Sequence, residues 1–165
     1  MRNLLMLLFA LALSSCIKEG TSGVELKPGD SVPEFAVVMN DGSTLSSADL
    51  KGAVSLVMFF HTGCPDCQQA LPRVQQIYEE YQDTELRFAL ISREEEASRI
   101  ESYWEEHQFT LPYSAQPDRR VYELFARERI PRIYINDKNG IIRAVFTDNP
   151  VPEYSDLKEA IDSSF

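Results

Sequence analysis

The sequence predicts an α/β fold with a central mixed β-sheet flanked by helices. Three observations support this prediction. A continuous apolar run of strand type occupies residues 53–60, strand-like and helical patterns alternate after residue 31, and two strand-like segments flank Asn139-Gly140. Alternating strands and helices favour a largely parallel sheet, whereas an Asn-Gly hairpin adds an antiparallel edge. The sheet is therefore expected to be mixed.

Three strands are predicted ahead of this terminal hairpin. Residues 35–39 are apolar and β-prone, and the turn signal Asp41-Gly42 follows them. The run at 53–60 is apolar throughout, which is typical of a strand buried on both faces. Residues 86–91 form a similar run. The hairpin itself pairs residues 133–135 with residues 141–146.

Helical spacing indicates four helices. One begins at the Cys64–Cys67 segment and places its apolar residues on one face. A second occupies residues 94–107, where Trp104 lies at a core position and is interpreted as packing. Asp118 is expected to cap a third helix whose inward side chains are Val121, Tyr122 and Phe125. Residues 153–161 form a closing helix.

The composition is that of one soluble globular domain. The chain has 165 residues, of which 44% are hydrophobic and 25% charged, and its formal net charge is −10. This charge argues against nucleic acid as a partner and against electrostatic docking on an anionic membrane. The acidic residues are expected to keep an exported domain soluble; steering towards a basic partner is the alternative.

The N-terminus has the pattern of an export signal. Arg2 precedes an apolar run, residues 4–13, that is too short to span a bilayer. The next residues, Leu13-Ser14-Ser15-Cys16, resemble a bacterial lipoprotein signal, in which Cys16 would be the lipid attachment site. The predicted organisation is a signal peptide at 1–15, a lipid anchor and flexible tether at 16–30, and a folded domain at 31–165. The alternative for Cys16 is an ordinary buried or unpaired cysteine.

Cys64-Pro65-Asp66-Cys67 is the segment with the clearest chemistry. A strand that ends just before a Cys-x-x-Cys helix places the first sulfur at the helix N-terminus, where free N–H groups favour a thiolate. Pro65 suits the first helical turn, and Asp66 either stabilises the helix N-terminus or tunes Cys67. Cys64 is expected to attack a substrate disulfide and Cys67 to resolve the mixed disulfide. A metal site and a purely structural disulfide are the alternatives for the motif; no further metal ligands are spaced for the first.

These residues, taken together, resemble the thioredoxin-fold, TlpA/ResA-type thiol–disulfide oxidoreductases and the wider redoxin superfamily, over about residues 28–164. The resemblance rests on five segments: Pro28 to Phe35, Phe59 to Cys67, Pro72, Ile130-Pro131 and Arg132 to Gly140. It implies a thioredoxin-like fold with the strand–helix insert of that branch, between residues 86 and 118. It also implies that Pro131 is a cis-proline facing the dithiol and that the backbone of Ile130 binds an extended substrate.

The sequence departs from the family pattern at three tuning positions. Gly63 replaces the usual tryptophan beside the first cysteine, Arg132 follows the cis-proline in place of a residue such as threonine, and Met58 occupies the position of the buried aspartate of thioredoxins. The redox potential is therefore left open. His61 either assists Cys64 or is a polar strand end without a role.

The expected function is thiol–disulfide exchange on exported proteins, with the reductase direction favoured. The resemblance implies no metal and no cofactor other than the Cys64–Cys67 disulfide. The expected partners are protein disulfides and a membrane electron donor or another thiol–disulfide protein. The expected location is the bacterial cell envelope, with the domain facing the periplasm or another extracytoplasmic space. The alternatives are a thiol-dependent peroxidase and a non-enzymatic lipoprotein that binds a partner or a metal.

Overall fold

The structure, a computed structural model, describes residues 24–165. In chain order the elements are β1 (Ala36–Val38), β2 (Thr44–Ser46), α1 (Ser47–Leu50), β3 (Ser55–Phe60), α2 (Pro65–Glu80), β4 (Arg87–Ser92), α3 (Ala97–His107), β5 (Tyr113–Ser114), a 3-10 turn (Tyr122–Leu124), β6 (Arg132–Asn136), β7 (Ile142–Phe146) and α4 (Tyr154–Asp162). The predicted α/β class is confirmed. The predicted strand at 35–39 is β1, which pairs with β2 across the Asp41-Gly42 turn.

The main sheet has five strands in the order β5-β4-β3-β6-β7. β3 runs parallel to β4 and antiparallel to β6, and the β6–β7 pair is the antiparallel edge that the sequence predicts. All six residues of β3 are buried, because helices or loops cover both faces of the sheet at its centre. The strand that leads to the Cys64 motif is therefore enclosed on both faces.

The core lies on both sides of β3, because successive side chains of a strand point to opposite faces. On one face, Phe59 packs against Phe125, Tyr122 and Tyr134, with ring centroids 4.9, 5.5 and 6.4 Å away. On the other face, Phe60 packs against Trp104 at 5.2 Å. The indole N–H of Trp104 donates to the Leu111 carbonyl at 2.9 Å, so the prediction that Trp104 is a packing residue agrees with its contacts.

The predicted third helix is wrong in its extent. Asp118 accepts a hydrogen bond from the Arg120 N–H at 2.9 Å, which makes a local turn, and only one 3-10 turn follows. The Phe125 carbonyl accepts the Leu26 N–H at 2.9 Å, a tertiary partner in place of a helical one. Tyr122 and Phe125 are nevertheless buried, as the sequence predicts. Local hydrogen bonds thus extend only to Ala126, and a tertiary hydrogen bond at the Phe125 carbonyl takes the place of a longer helix.

The folded domain begins earlier than the predicted boundary at residue 31. Leu26 is bonded to Phe125, the Gly29 N–H donates to the Ile142 carbonyl at 2.8 Å, and Glu25 pairs with Arg132 at 2.5 Å. Residues 24–30, assigned above to the flexible tether, therefore pack on the domain. The predicted signal peptide and Cys16 lie outside the described residues. Within residues 24–165, the helices are all too short or too polar to span a bilayer.

Candidate functional site

The candidate site lies where β3 ends and α2 begins. Cys64 is the N-cap residue of α2 and has an extended backbone (φ −91°, ψ 119°), and Pro65 occupies the first helical turn. The Gln68 N–H donates to the Cys64 carbonyl at 2.9 Å and starts the helical ladder. Asp66 lies in the first turn, where a negative charge complements the helix dipole. Cys64 is thus held at the end of the helix that favours an anion.

The first sulfur faces the loop before β6. Cys64 is half-buried, and its thiol lies 3.5 Å from the Ile130 carbonyl, to which it donates. The Ile130–Pro131 peptide bond is cis, as the resemblance implies. The Tyr122 hydroxyl donates to the Arg129 carbonyl at 2.8 Å and so ties this loop to the core. The structure therefore brings together Cys64, Ile130 and Pro131, which are far apart in the sequence.

The second sulfur has a different environment. Cys67 lies on the buried face of α2 and is completely inaccessible to solvent, and both cysteines are free thiols. Burial raises the pKa of the Cys67 thiol far above its ordinary value; a backbone hydrogen bond from His61 opposes this shift without cancelling it. The two cysteines of one motif therefore differ in access: solvent reaches the Cys64 side chain and does not reach Cys67.

The turn before Cys64 explains why glycine occupies position 63, where the family usually has tryptophan. The Gly63 N–H donates to Nδ1 of His61 at 2.9 Å, so the imidazole folds against the turn. A Cβ atom at position 63 would lie 3.2 Å from two atoms of that ring. A larger side chain beside the first cysteine would displace His61. The histidine that the sequence left without a clear role thus bonds to the active-site turn.

A residue that sequence reasoning missed lies directly behind this turn. The Glu95 side chain is completely buried, and its carboxylate accepts hydrogen bonds from the backbone N–H of Thr62, at 2.9 Å, and from the Thr62 hydroxyl. Glu95 stands in the run Glu94-Glu95-Glu96, a pattern typical of a solvated surface. Glu94 has a positive φ of 58°, and Glu95 is the buried member of the run. The sequence carries no signal for this backbone conformation.

The other two residues that depart from the family pattern, Arg132 and Met58, make their contacts away from the dithiol. Arg132 is nearly buried, pairs with Glu25 at 2.5 Å and donates to the Glu128 carbonyl at 3.1 Å, so it fastens the N-terminal segment. Met58 is completely buried in β3. Among residues 24–165, no three His, Cys, Asp or Glu side chains are grouped in a way that could hold a metal ion.

The fold and the site together define a class of protein. A Cys-x-x-Cys at a helix N-terminus, opposite a cis-proline and beside a mixed sheet, is the arrangement of thioredoxin-fold proteins. Solved structures of this fold superpose well. One is a thiol:disulfide interchange protein of the thioredoxin family from Chlorobium tepidum TLS, with a TM-score of 0.72 at 22% identity, covering 86% of this chain and 99% of that one. Another is the exposed lipoprotein thioredoxin Etrx1 from Streptococcus pneumoniae strain TIGR4, with a TM-score of 0.68 at 18% identity, covering 79% and 99%.

The chain belongs to the AhpC/TSA family, whose model matches residues 28–145. It is also similar to the thiol-disulfide oxidoreductase ResA of Geobacillus thermodenitrificans (strain NG80-2), with 23% identity over 99% of this chain and 94% of that protein. The resemblance to ResA-type redoxins drawn from the sequence is therefore confirmed, and so is the thioredoxin-like fold.

Proposed function

We propose that this protein is a thiol–disulfide oxidoreductase that acts through Cys64 and Cys67. The observation that carries the proposal is the difference between the two cysteines. The Cys64 side chain is half-exposed at a helix N-terminus and lies against the Ile130 carbonyl, whereas Cys67, one helical turn further on, is completely buried. Exchange begins when an accessible thiolate attacks a disulfide, and a second thiol next to the first can then resolve the mixed disulfide. The similarity to ResA supports the same reaction class.

The reaction proceeds in two exchanges. The Cys64 thiolate attacks one sulfur of a substrate disulfide, which forms a mixed disulfide and releases the other substrate sulfur as a thiolate that takes up a proton. Cys67 then loses its proton and attacks the Cys64 sulfur. The Cys64–Cys67 disulfide forms, and the second substrate sulfur leaves as a thiol. Two electrons pass from the protein to the substrate, and a dithiol donor must return them.

The loop at Ile130 and Pro131 is the proposed substrate-binding element. An extended polypeptide can bind to the backbone of another chain through main-chain hydrogen bonds, with little dependence on its side chains. In the dithiol form the Ile130 carbonyl accepts the Cys64 thiol, so a substrate strand that binds there lies next to the attacking sulfur. This arrangement suits protein disulfides of varied sequence.

The substrates are proposed to be exported proteins, and the reductase direction is favoured. The lipoprotein-like signal ending at Cys16 supports an envelope location with a lipid anchor, because an acylated cysteine holds a domain at a membrane without a spanning helix. The similarity to an exposed lipoprotein thioredoxin points the same way. Disulfides persist in such compartments, so a reductant there needs a membrane electron donor.

Insulin reduction in the presence of dithiothreitol tests the reaction. The wild-type domain is expected to accelerate precipitation of the insulin B chain, Cys64→Ser to abolish the acceleration, and Cys67→Ala to accumulate a mixed disulfide visible by mass spectrometry. Full activity of Cys64→Ser would overturn the proposal. Equilibration with glutathione then gives the direction: a potential near about −270 mV indicates a reductant and one near about −120 mV an oxidant.

Two alternatives remain as predictions with their own tests. Rapid single-turnover oxidation of the dithiol by micromolar hydrogen peroxide would support a peroxidase. The Thr62 hydroxyl, the nearest candidate to assist a peroxide, donates instead to Glu95. A metal retained by the reduced protein and lost on Cys67→Ala would support a binding lipoprotein.

A further inference from the structure

Glu95 is a buried acid that the two-cysteine mechanism does not use. It lies in the connection between β4 and α3, where its backbone N–H donates to the Gln116 carbonyl at 2.9 Å. Its side chain is 0% exposed. A carboxylate at such a position is costly unless hydrogen bonds replace the water that it has lost. The hydrogen bonds that the Glu95 carboxylate accepts therefore show which residue it holds in place.

Both hydrogen bonds to the carboxylate come from Thr62, two residues before Cys64. Oε2 accepts the Thr62 backbone N–H at 2.9 Å, and Oε1 accepts the Thr62 hydroxyl. Hydrogen bonds to an ionised acceptor are about twice as strong as neutral ones. Nδ1 of His61 lies 3.7 Å from Oε1, but it accepts the Gly63 N–H and so carries no proton to offer in this arrangement. Thr62 is thus the residue that Glu95 holds.

Two further backbone groups of this turn are also bonded. The Thr62 carbonyl accepts the Gln68 side-chain amide at 2.8 Å, and the Cys64 N–H donates to the His61 carbonyl at 3.0 Å. Of these backbone hydrogen bonds, all within residues 24–165, the one made by Glu95 comes from outside the 61–68 segment. It therefore ties the turn, and Cys64 with it, to the β4–α3 connection.

We propose that Glu95 is a positioning residue for thiol–disulfide exchange at Cys64. It touches neither sulfur; through Thr62 it holds the turn that keeps the Cys64 sulfur against the Ile130 loop. An attacking atom displaced by 1 Å can lose about 100-fold in rate. The inference rests on the proposed function, since it concerns how that exchange is made efficient.

Two substitutions at position 95 separate hydrogen bonding from charge. Glu95→Gln removes the charge, but its amide oxygen still accepts the Thr62 N–H and its amide nitrogen can donate to the Thr62 hydroxyl oxygen. Glu95→Ala removes the charge and both bonds. Because both variants lack the charge, a difference between their exchange rates cannot come from the charge. Glu94→Gln, the same change one residue earlier on an exposed side chain, is the matched control.

The rate of insulin reduction is measured where circular dichroism shows each variant fully folded. Glu95→Ala is expected to react roughly tenfold or more slowly than Glu95→Gln, and Glu94→Gln to match the wild type. If Glu95→Ala does not fold, Thr62→Val replaces it; this change removes only the hydroxyl, and its rate is expected to fall about threefold or more below the wild type. Equal rates for Glu95→Ala and Glu95→Gln, or an unchanged rate for Thr62→Val where it is needed, would overturn the proposal.

Amide hydrogen exchange at Thr62 gives a readout that does not depend on activity. The Thr62 N–H is expected to be protected in the wild type and in Glu95→Gln, and to lose at least about tenfold in protection in Glu95→Ala, while the amides of β3 keep theirs. A wild-type protein that does not reduce insulin refutes the proposed function, whereas an active protein with no difference between the two variants refutes the role of Glu95 alone. Unchanged Thr62 protection in Glu95→Ala counts against the proposed contact.

Discussion

At the scale of single residues, the two cysteines show how one motif yields two different thiols. Cys64 is half-exposed at the N-cap, and Cys67 is buried on the inner face of the same helix. The spacing of three residues places the second sulfur one turn further along the helix, and the packing of α2 on the sheet removes it from water. The difference in access follows from where the helix lies, and the division of roles in the proposed reaction follows from that difference.

The buried thiol leads to a prediction about stability and pH. Burial raises the pKa of Cys67 in the folded dithiol form, while an unfolded chain has an ordinary cysteine pKa of about 8.5. The stabilisation from keeping this proton is complete below that pH. Above it, the unfolded chain releases a proton that the folded chain retains, so the free energy of unfolding of the reduced protein is expected to fall, by up to about 1.4 kcal/mol per pH unit.

Urea unfolding of the reduced protein from about pH 7.5 to about pH 10 measures this slope. The reduced Cys67→Ala variant is the control, because it keeps the tyrosine and lysine groups that also titrate in this range but lacks the buried thiol. The slope of the wild type is expected to be the steeper of the two. Equal pH dependence of the free energy of unfolding in the two proteins would contradict the raised pKa of Cys67.

At the scale of elements, α2 is held from outside by α4. Leu157 and Ile161 of α4 are completely buried. On the rim, Lys158 pairs with Glu80 of α2 at 2.9 Å, and Arg73 of α2 donates to the Pro152 carbonyl at 2.8 Å. Since α2 carries both cysteines, this docking fixes the helix on which the site depends.

Adjacent residues of α4 test which contacts hold the two helices together. Leu157→Ala is expected to lower the free energy of unfolding by about 2–5 kcal/mol, because it leaves a cavity in a fully buried place. Lys158→Ala removes two ion pairs at partly exposed positions, a hydrogen bond to the Tyr81 hydroxyl and a cation–π contact with the Tyr81 ring. It leaves no buried cavity and is expected to cost less than Leu157→Ala. Both values come from urea unfolding of the oxidised protein. A larger loss of unfolding free energy for Lys158→Ala than for Leu157→Ala would show that the polar contacts at the edge of the α2–α4 interface, and not its buried apolar contacts, hold α4 in place.

The elements also differ in how far the sequence could predict them. β3 and the β6–β7 hairpin were predictable, because an unbroken apolar run and an Asn-Gly turn are local signals. The segment after Asp118 was not, because the Phe125 carbonyl accepts the Leu26 N–H in place of a helical partner. Inward-facing side chains were recognised there, but this hydrogen bond joins residues that are distant in the chain.

At the scale of the whole molecule, the N-terminal segment belongs to the fold. Residues 24–30 contribute backbone hydrogen bonds to Phe125 and Ile142 and an ion pair between Glu25 and Arg132. Arg132 follows the cis-proline directly. The departure from the family pattern at this position therefore serves the attachment of the segment.

Truncation tests this extended boundary. A chain that begins at Ser31, the boundary predicted from composition, is expected to melt several degrees below one that begins at Val24, since a loss of about 1 kcal/mol lowers the midpoint by about 2–8 °C in domains of this size range. Equal melting midpoints for the Ser31 and Val24 chains would show that residues 24–30 do not stabilise the fold and belong to the tether.

The sequence by itself determined the fold class and the order of the main strands and helices, and it predicted Cys64 and Cys67 as the dithiol of the proposed reaction, because each of these depends on residues close together in the chain. Only the tertiary structure decided that Cys67 is sealed from solvent, that Cys64 meets Ile130 66 residues away, and that Glu95 reaches Thr62 across 33 residues. Within the run of three glutamates, no composition or periodicity distinguishes the middle one. Its burial follows from the packing of the β4–α3 connection against the end of β3, and contacts of that kind leave no local pattern in the sequence.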